Sequence, residues 1–98
     1  MYKMTESENK KITIDIATTK LFSVHAYLVE GEASIEVSQS NFNQSDRFEP
    51  IKTVQLLTTS DSARNAIVSV KDAPCKYCQV ELIDPSADCL IEVEILFK

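Results

Sequence analysis

The sequence predicts an all-β domain: an antiparallel two-sheet sandwich, Ig-like or jelly-roll-like, with about seven strands and an N-terminal arm. Three observations predict it. Apolar residues recur at every second position through most of the chain, which aims them at one face of a pleated strand, whereas a helix needs spacings of three and four. The chain has 98 residues, 44% hydrophobic and 26% charged, an ordinary globular composition with room for a single core. Short strands that are apolar on one side only need a second sheet to cover them, because one open sheet leaves its apolar face in water.

Residues 1–11 are polar and charged without a period, so they are expected as an arm that orders only when something outside the domain holds it; the sandwich is expected over 12–98. The first expected strand carries Ile12, Ile14 and Ile16 around Thr13 and Asp15. The second alternates Phe22, Val24, Ala26 and Leu28 with Ser23, His25 and Tyr27, and the third alternates Ala33, Ile35 and Val37 with Ser34 and Glu36. Residues 52–58, 66–71, 76–84 and 89–97 complete the set. Turn-forming residues separate them at Glu30-Gly31-Glu32, Asp61-Ser62, Asp72-Ala73-Pro74 and Asp84-Pro85-Ser86. Residues 38–50, rich in Asn, Ser and Gln side chains that bond their own backbone, are expected as a long loop. Within it Phe42 and Phe48 either cap the open end of the sandwich or stand out as anchors for a partner.

Charge narrows the function classes. Fifteen acidic against ten basic residues give a net charge of −5, which repels a phosphate backbone, so nucleic acid is not an expected partner. No run approaches the ~18 apolar residues that cross a bilayer, so no membrane is expected either. The first eleven residues also lack the apolar stretch of a secretory leader, and synthesis in the cytoplasm is the expectation.

Reactive side chains are few. Cys75 and Cys78 form a Cys-x-x-Cys pair, and Cys89 with the lone His25 would nominally complete four zinc ligands. A four-residue turn over 85–88 predicts a C-terminal hairpin that sets Leu82 opposite Ile91, Val80 opposite Val93 and Cys78 opposite Ile95. In that register Cys78 and Cys89 lie roughly 20 Å apart at ~3.4 Å per residue, too far for a shared ion or a disulfide. No metal, cofactor or catalytic group is therefore expected, and ordinary reduced thiols are. His25 falls on the outer face beside Tyr27, without a serine-elbow pattern or a phosphate-cradling loop to serve. The same hairpin sets Glu81 opposite Glu92 and Gln79 opposite Glu94. Like charges across a ladder repel, so these acids are either a solvated face or a surface that basic groups of another subunit neutralise.

The run Ala33-Ser-Ile-Glu-Val-Ser38, the polar loop after it, Arg47-Phe48-Glu49-Pro50-Ile51, Lys52-Thr-Val-Gln-Leu56 and Ala73-Pro-Cys-Lys-Tyr77 leading into Gln79-Val-Glu-Leu82 resemble small β-sandwich structural proteins of tailed-bacteriophage virions. The resemblance spans roughly 12–98. One departure is that Cys78 follows Tyr77 where such strands commonly carry arginine. What the resemblance implies is a non-enzymatic virion subunit, of capsid decoration, cement or head–tail accessory type, made in the host cytoplasm. Its partners would be other virion proteins and further copies of itself; the resemblance carries over no site residues, and the contact candidates Phe42, Phe48, Glu81, Glu92 and Glu94 come from the loop and hairpin readings above. The alternative is a carbohydrate- or receptor-binding sandwich presenting Tyr27, Phe42, Phe48 and Tyr77.

Overall fold

The computed structural model describes residues 1–17, 19–71 and 75–98. It is a two-sheet antiparallel β-sandwich of eight strands: β1 (Tyr2–Thr5), β2 (Lys11–Asp15), β3 (Leu21–Glu30), β4 (Ala33–Ser40), β5 (Glu49–Leu56), β6 (Asn65–Lys71), β7 (Tyr77–Ile83) and β8 (Leu90–Phe97). The first sheet has the order β1-β8-β3-β6 and the second β2-β7-β4-β5. Among the described residues the only helical segments are single 3-10 turns at Ser45–Arg47 and Ser62–Arg64. The expected turn at Asp72-Ala73-Pro74 lies outside the described residues.

Period-two burial produces this architecture directly. Along β3, Phe22, Val24, Ala26 and Leu28 are buried while His25 and Tyr27 between them are exposed. In the second sheet Ile35, Val37, Val80 and Leu82 do the same and meet the first sheet's Met4, Ile91 and Val93 in one core. Each such side chain stabilises the fold by roughly 1.5–3 kcal/mol of burial, before the entropy of ordering it is subtracted. Ile14 is only partly buried, packed against the rim of this core.

Two expectations are corrected. Residues 1–11 are not an arm awaiting an outside partner: β1 pairs with β8, and Met4, opposite Ile91, is fully buried. Its turn is built locally, with Glu8 N–H donating to Thr5 Oγ1 at 2.9 Å and Asn9 taking a left-handed φ of 54°. This strand was illegible because it is four residues long and holds one buried apolar side chain.

The C-terminal hairpin is also absent. β7 lies between β2 and β4, and β8 lies between β1 and β3, so 84–89 crosses from one sheet to the other. Leu82 is opposite Ile35, Val80 opposite Ile12 and Val37, and Cys78 opposite Ile14 and Gln39. Ile91, Val93 and Ile95 instead face β3 across the first sheet. Packed sheets stand ~10 Å apart, a gap that a six-residue connection spans as readily as it folds back. What fixes the crossing is contact with the β3–β4 turn. Ser86 N–H donates to Glu32 O at 2.9 Å, Glu32 N–H donates to Ser86 Oγ at 3.0 Å, and Ser86 Oγ donates to Asp88 Oδ1 at 2.7 Å. Asp84 and Gly31 supply the left-handed φ values of 48° and 78° that the bend requires. A Cβ on Gly31 would sit against Ser86 Oγ and 2.8 Å from the Cys89 backbone, so the approach needs glycine for space as well as for angle.

Candidate functional site

With the cores of both sheets buried, the two outer faces and the loops remain for binding. The outer face of the second sheet is polar and internally paired. Lys11, Glu81, Glu36 and Thr53 form one row across its four strands. Glu81 opposes Glu36 in this row, and the like charges are relieved from both ends: Lys11 Nζ lies 3.6 Å from Glu81 Oε2, and Thr53 Oγ1 donates to Glu36 Oε2 at 3.2 Å. In the next row Gln79 Nε2 donates to Thr13 Oγ1 at 3.2 Å, and both Gln79 and its neighbour Ser38 are buried.

The outer face of the first sheet has a different composition. It presents Leu21, Tyr27, Ile67 and Leu96 as exposed large apolar side chains, with Ile67 62% and Leu96 63% accessible. Register places His25 between Ile67 and Glu94, and Tyr27 between Asn65 and Glu92. These rows enclose a shallow hollow of ≈ 180 Å³ lined by Met1, His25, Tyr27, Glu92 and Glu94. His25 Nε2 is 2.8 Å from Asn65 Oδ1. A carbonyl oxygen only accepts, so Nε2 carries the proton and Nδ1 is left to accept. Asn65 is itself fixed, its Nδ2 donating to Asp61 O at 2.7 Å. The α-amino group of Met1 lies 3.8 Å from Glu94 Oε1. The hollow therefore combines a tyrosine ring, two carboxylates and an oriented imidazole.

The five residues singled out for partner binding are thus dispersed. Glu92 and Glu94 sit together at the hollow, but Glu81 lies on the opposite face of the molecule, beside Lys11 and Glu36. The hairpin register that joined the three acids does not exist, because β7 and β8 belong to different sheets. Phe42 and Phe48 lie in the β4–β5 loop, which spans only 41–48 because β4 runs on to Ser40 and β5 starts at Glu49. Phe42 is 53% exposed and lies under the Arg47 guanidinium at 4.8 Å, whereas Phe48 is half-buried. Asn41 Oδ1 accepts from Lys76 N–H at 3.0 Å, tying this loop to the start of β7, where the Lys76 ammonium lies 5.4 Å from the Tyr77 ring centre. Phe42 and Tyr77 therefore occupy one end of the second sheet, while Tyr27 stands on the other sheet.

Two larger clefts, ≈ 340 and ≈ 310 Å³, flank the 84–89 crossing and share Glu32 and Ser86. Their Ser86 and Asp88 groups already form the hydrogen bonds that hold the crossing, so these clefts belong to the fold. All three cysteines are free thiols. Burial pushes Cys78 from the ordinary value of 9.0 up to about 11, and Cys89 is raised by burial and by the neighbouring Asp88 charge. Both thiols are protonated and poor nucleophiles at neutral pH. No group of three or more metal-ligating side chains converges among the described residues. The signal that could have located the hollow was present in strand parity: His25 and Tyr27 were legible as outward-facing. Their juxtaposition with Glu92 and Glu94 was not, since it depends on β8 pairing with β3.

No protein-family model and no curated protein matches the chain. Among solved structures it is similar to a family 6 carbohydrate-binding module whose binding sub-sites were dissected by crystallography and titration calorimetry, at 18% sequence identity and a TM-score of 0.39. The match covers 90% of this chain and 66% of that one, so the chain spans just under two thirds of the module's length.

Proposed function

We propose that the chain is a non-catalytic binding module that takes a neutral, hydroxyl-rich ligand, a glycan, on the outer face of its first sheet. The observation that carries this reading is the hollow in which Tyr27 stands beside Glu92 and His25 beside Glu94. A sugar ring has an apolar C–H face and a rim of hydroxyls. A half-exposed tyrosine ring offers a flat apolar surface to the first, and the two carboxylates with the free imidazole Nδ1 offer acceptors, and the tyrosine hydroxyl a donor, to the second. The net charge of −5 and the two carboxylates disfavour anionic ligands. The hydrogen bond that orients His25 on Asn65 removes part of the ordering cost of binding. A glycan array probed with the wild-type chain and with Tyr27→Ala tests the reading: specific signal on neutral glycans that Tyr27→Ala abolishes supports it, and a blank array or an indifferent variant defeats it.

A second reading is favoured by the exposed Leu21, Ile67 and Leu96 on the same face. These suit a protein surface better than a sugar, and a structural subunit of a phage shell, the role implied by the sequence resemblance, would use them to dock, with Glu92 and Glu94 meeting basic groups. Affinity for assembled shells that Leu96→Ser removes, with a blank glycan array, would put this reading first.

A further inference from the structure

A sandwich has four sheet edges, and here three of them are blunted. β1 is four residues long. β2 is five residues long and carries exposed charges at both ends, Lys11 and Asp15. β5 carries Pro50 and Lys52 and opposes a register shift between Val37 and Ser38. Short length, charge, proline and bulges are the devices that stop an edge from pairing with another chain. β6 has no proline and no bulge, and its single charge, Lys71, stands at its last position. It runs seven residues, Asn65–Lys71, pairs with β3 on one side, and among the described residues no strand pairs with its other side. Its central stretch, Ala66-Ile-Val-Ser-Val70, is uncharged and dominated by β-branched residues, and Ile67 on its outer side is 62% exposed.

We propose that β6 is an assembly edge: a second copy of this chain pairs antiparallel with it about a two-fold axis at Val68, joining the two first sheets into one continuous sheet. Such a pairing is self-complementary in three respects. A two-fold axis at Val68 sets Ile67 opposite Ser69 and Ala66 opposite Val70, so outer residues meet outer residues and core-facing residues meet core-facing ones, as sheet continuity requires. It sets Lys71 opposite Asn65 of the other copy, so no like charges face each other across the new ladder. And Asn65 holds the backbone carbonyl of Asp61 at 2.7 Å, which sets the exposed Asp61 beside Asn65, the residue that the other copy's Lys71 faces. Each contact occurs twice, as an isologous interface demands. The occupant is a second copy because this pairing of Lys71 with Asp61 and of uncharged centre with uncharged centre comes from the chain's own sequence. On the glycan reading above, the axis runs perpendicular to the sheet and leaves both hollows on the same face, so one surface engages two ligands and gains avidity.

Sedimentation equilibrium of the full chain, from micromolar to millimolar concentration, tests the assembly without any ligand. The expected result is a concentration-dependent shift from one chain mass to two, weakened by salt. The double variant Ile67→Lys with Ser69→Lys sets ammonium groups opposite each other twice and should weaken the dimer about tenfold or more. Lys71→Glu alone should also weaken it by setting like charges together, and adding Asp61→Lys should restore it. All four positions are on the outer side or in a loop, and unchanged melting temperatures of the variants confirm intact folds. A chain that stays monomeric at every concentration, or a dimer indifferent to both the lysine pair and the charge swap, overturns the assignment. A monomer that still binds neutral glycans would remove the assembly and leave the binding reading standing.

Discussion

The two outer faces of this sandwich are made by the same strand periodicity and differ in what they leave unfinished. On the second sheet, polar groups answer each other: Lys11 with Glu81, Thr53 with Glu36, Gln79 with Thr13, and Gln79 and Ser38 are buried by their neighbours. On the first sheet Leu21, Tyr27, Ile67 and Leu96 stand in solvent, with Glu92 and Glu94 among them. A face that satisfies its own hydrogen bonds gains little from a partner, whereas exposed apolar area beside charged acceptors gains from contact. The contrast separates a face that serves the fold from a face available for function.

The largest effect that sharpens this contrast is on the shared core. Phe22→Ala should cost about 3–5 kcal/mol in denaturant unfolding, because Phe22 is fully buried under both sheets. Gly31→Ala should cost about 1–3 kcal/mol from backbone angle alone, and more if the Cys89 backbone cannot retreat. On the second face, Gln79→Leu should cost about 1 kcal/mol by removing the donor to Thr13. On the first face, Leu96→Ser should leave stability within about 0.5 kcal/mol, since that side chain is already in water. A large destabilisation by Leu96→Ser would mean that the face is covered within the protein and would erase the comparison.

A pH series adds a check on burial. In the unfolded chain the Cys78 thiol ionises near 9.0, and in the fold at about 11. Between those values the unfolded chain has released a proton that the fold retains, so this contribution to stability is full below 9.0 and falls as pH rises through 11. Cys78→Ala should flatten that part of the profile in urea unfolding measured on either side of this window.

Much of the fold was legible because burial alternates so cleanly. The strands around Phe22–Leu28, Ala33–Val37 and the last apolar run fall where parity set them. What parity does not carry is pairing. Only β4 and β5, among consecutive strands, are neighbours in a sheet; the others cross between sheets, so the assumption that β7 and β8 formed a hairpin failed for reasons invisible in either strand. The decision rests on Ser86, Glu32, Gly31 and Asp88, a cluster of bonds between two distant turns. The hollow inherits that limit. Tyr27 and His25 could be placed on an outer face, and Glu92 and Glu94 on one strand, but their meeting follows from the β3–β8 register. β1 was missed because one buried methionine in four residues leaves no period to read.

The face comparison is tested most directly by a glycan array run on three proteins: wild type, Tyr27→Ala on the first face and Thr53→Ala on the second. Signal on neutral glycans is expected from the wild type and from Thr53→Ala, and loss of that signal from Tyr27→Ala. Equal signal from both variants, loss confined to Thr53→Ala, or no signal from any of the three would contradict it.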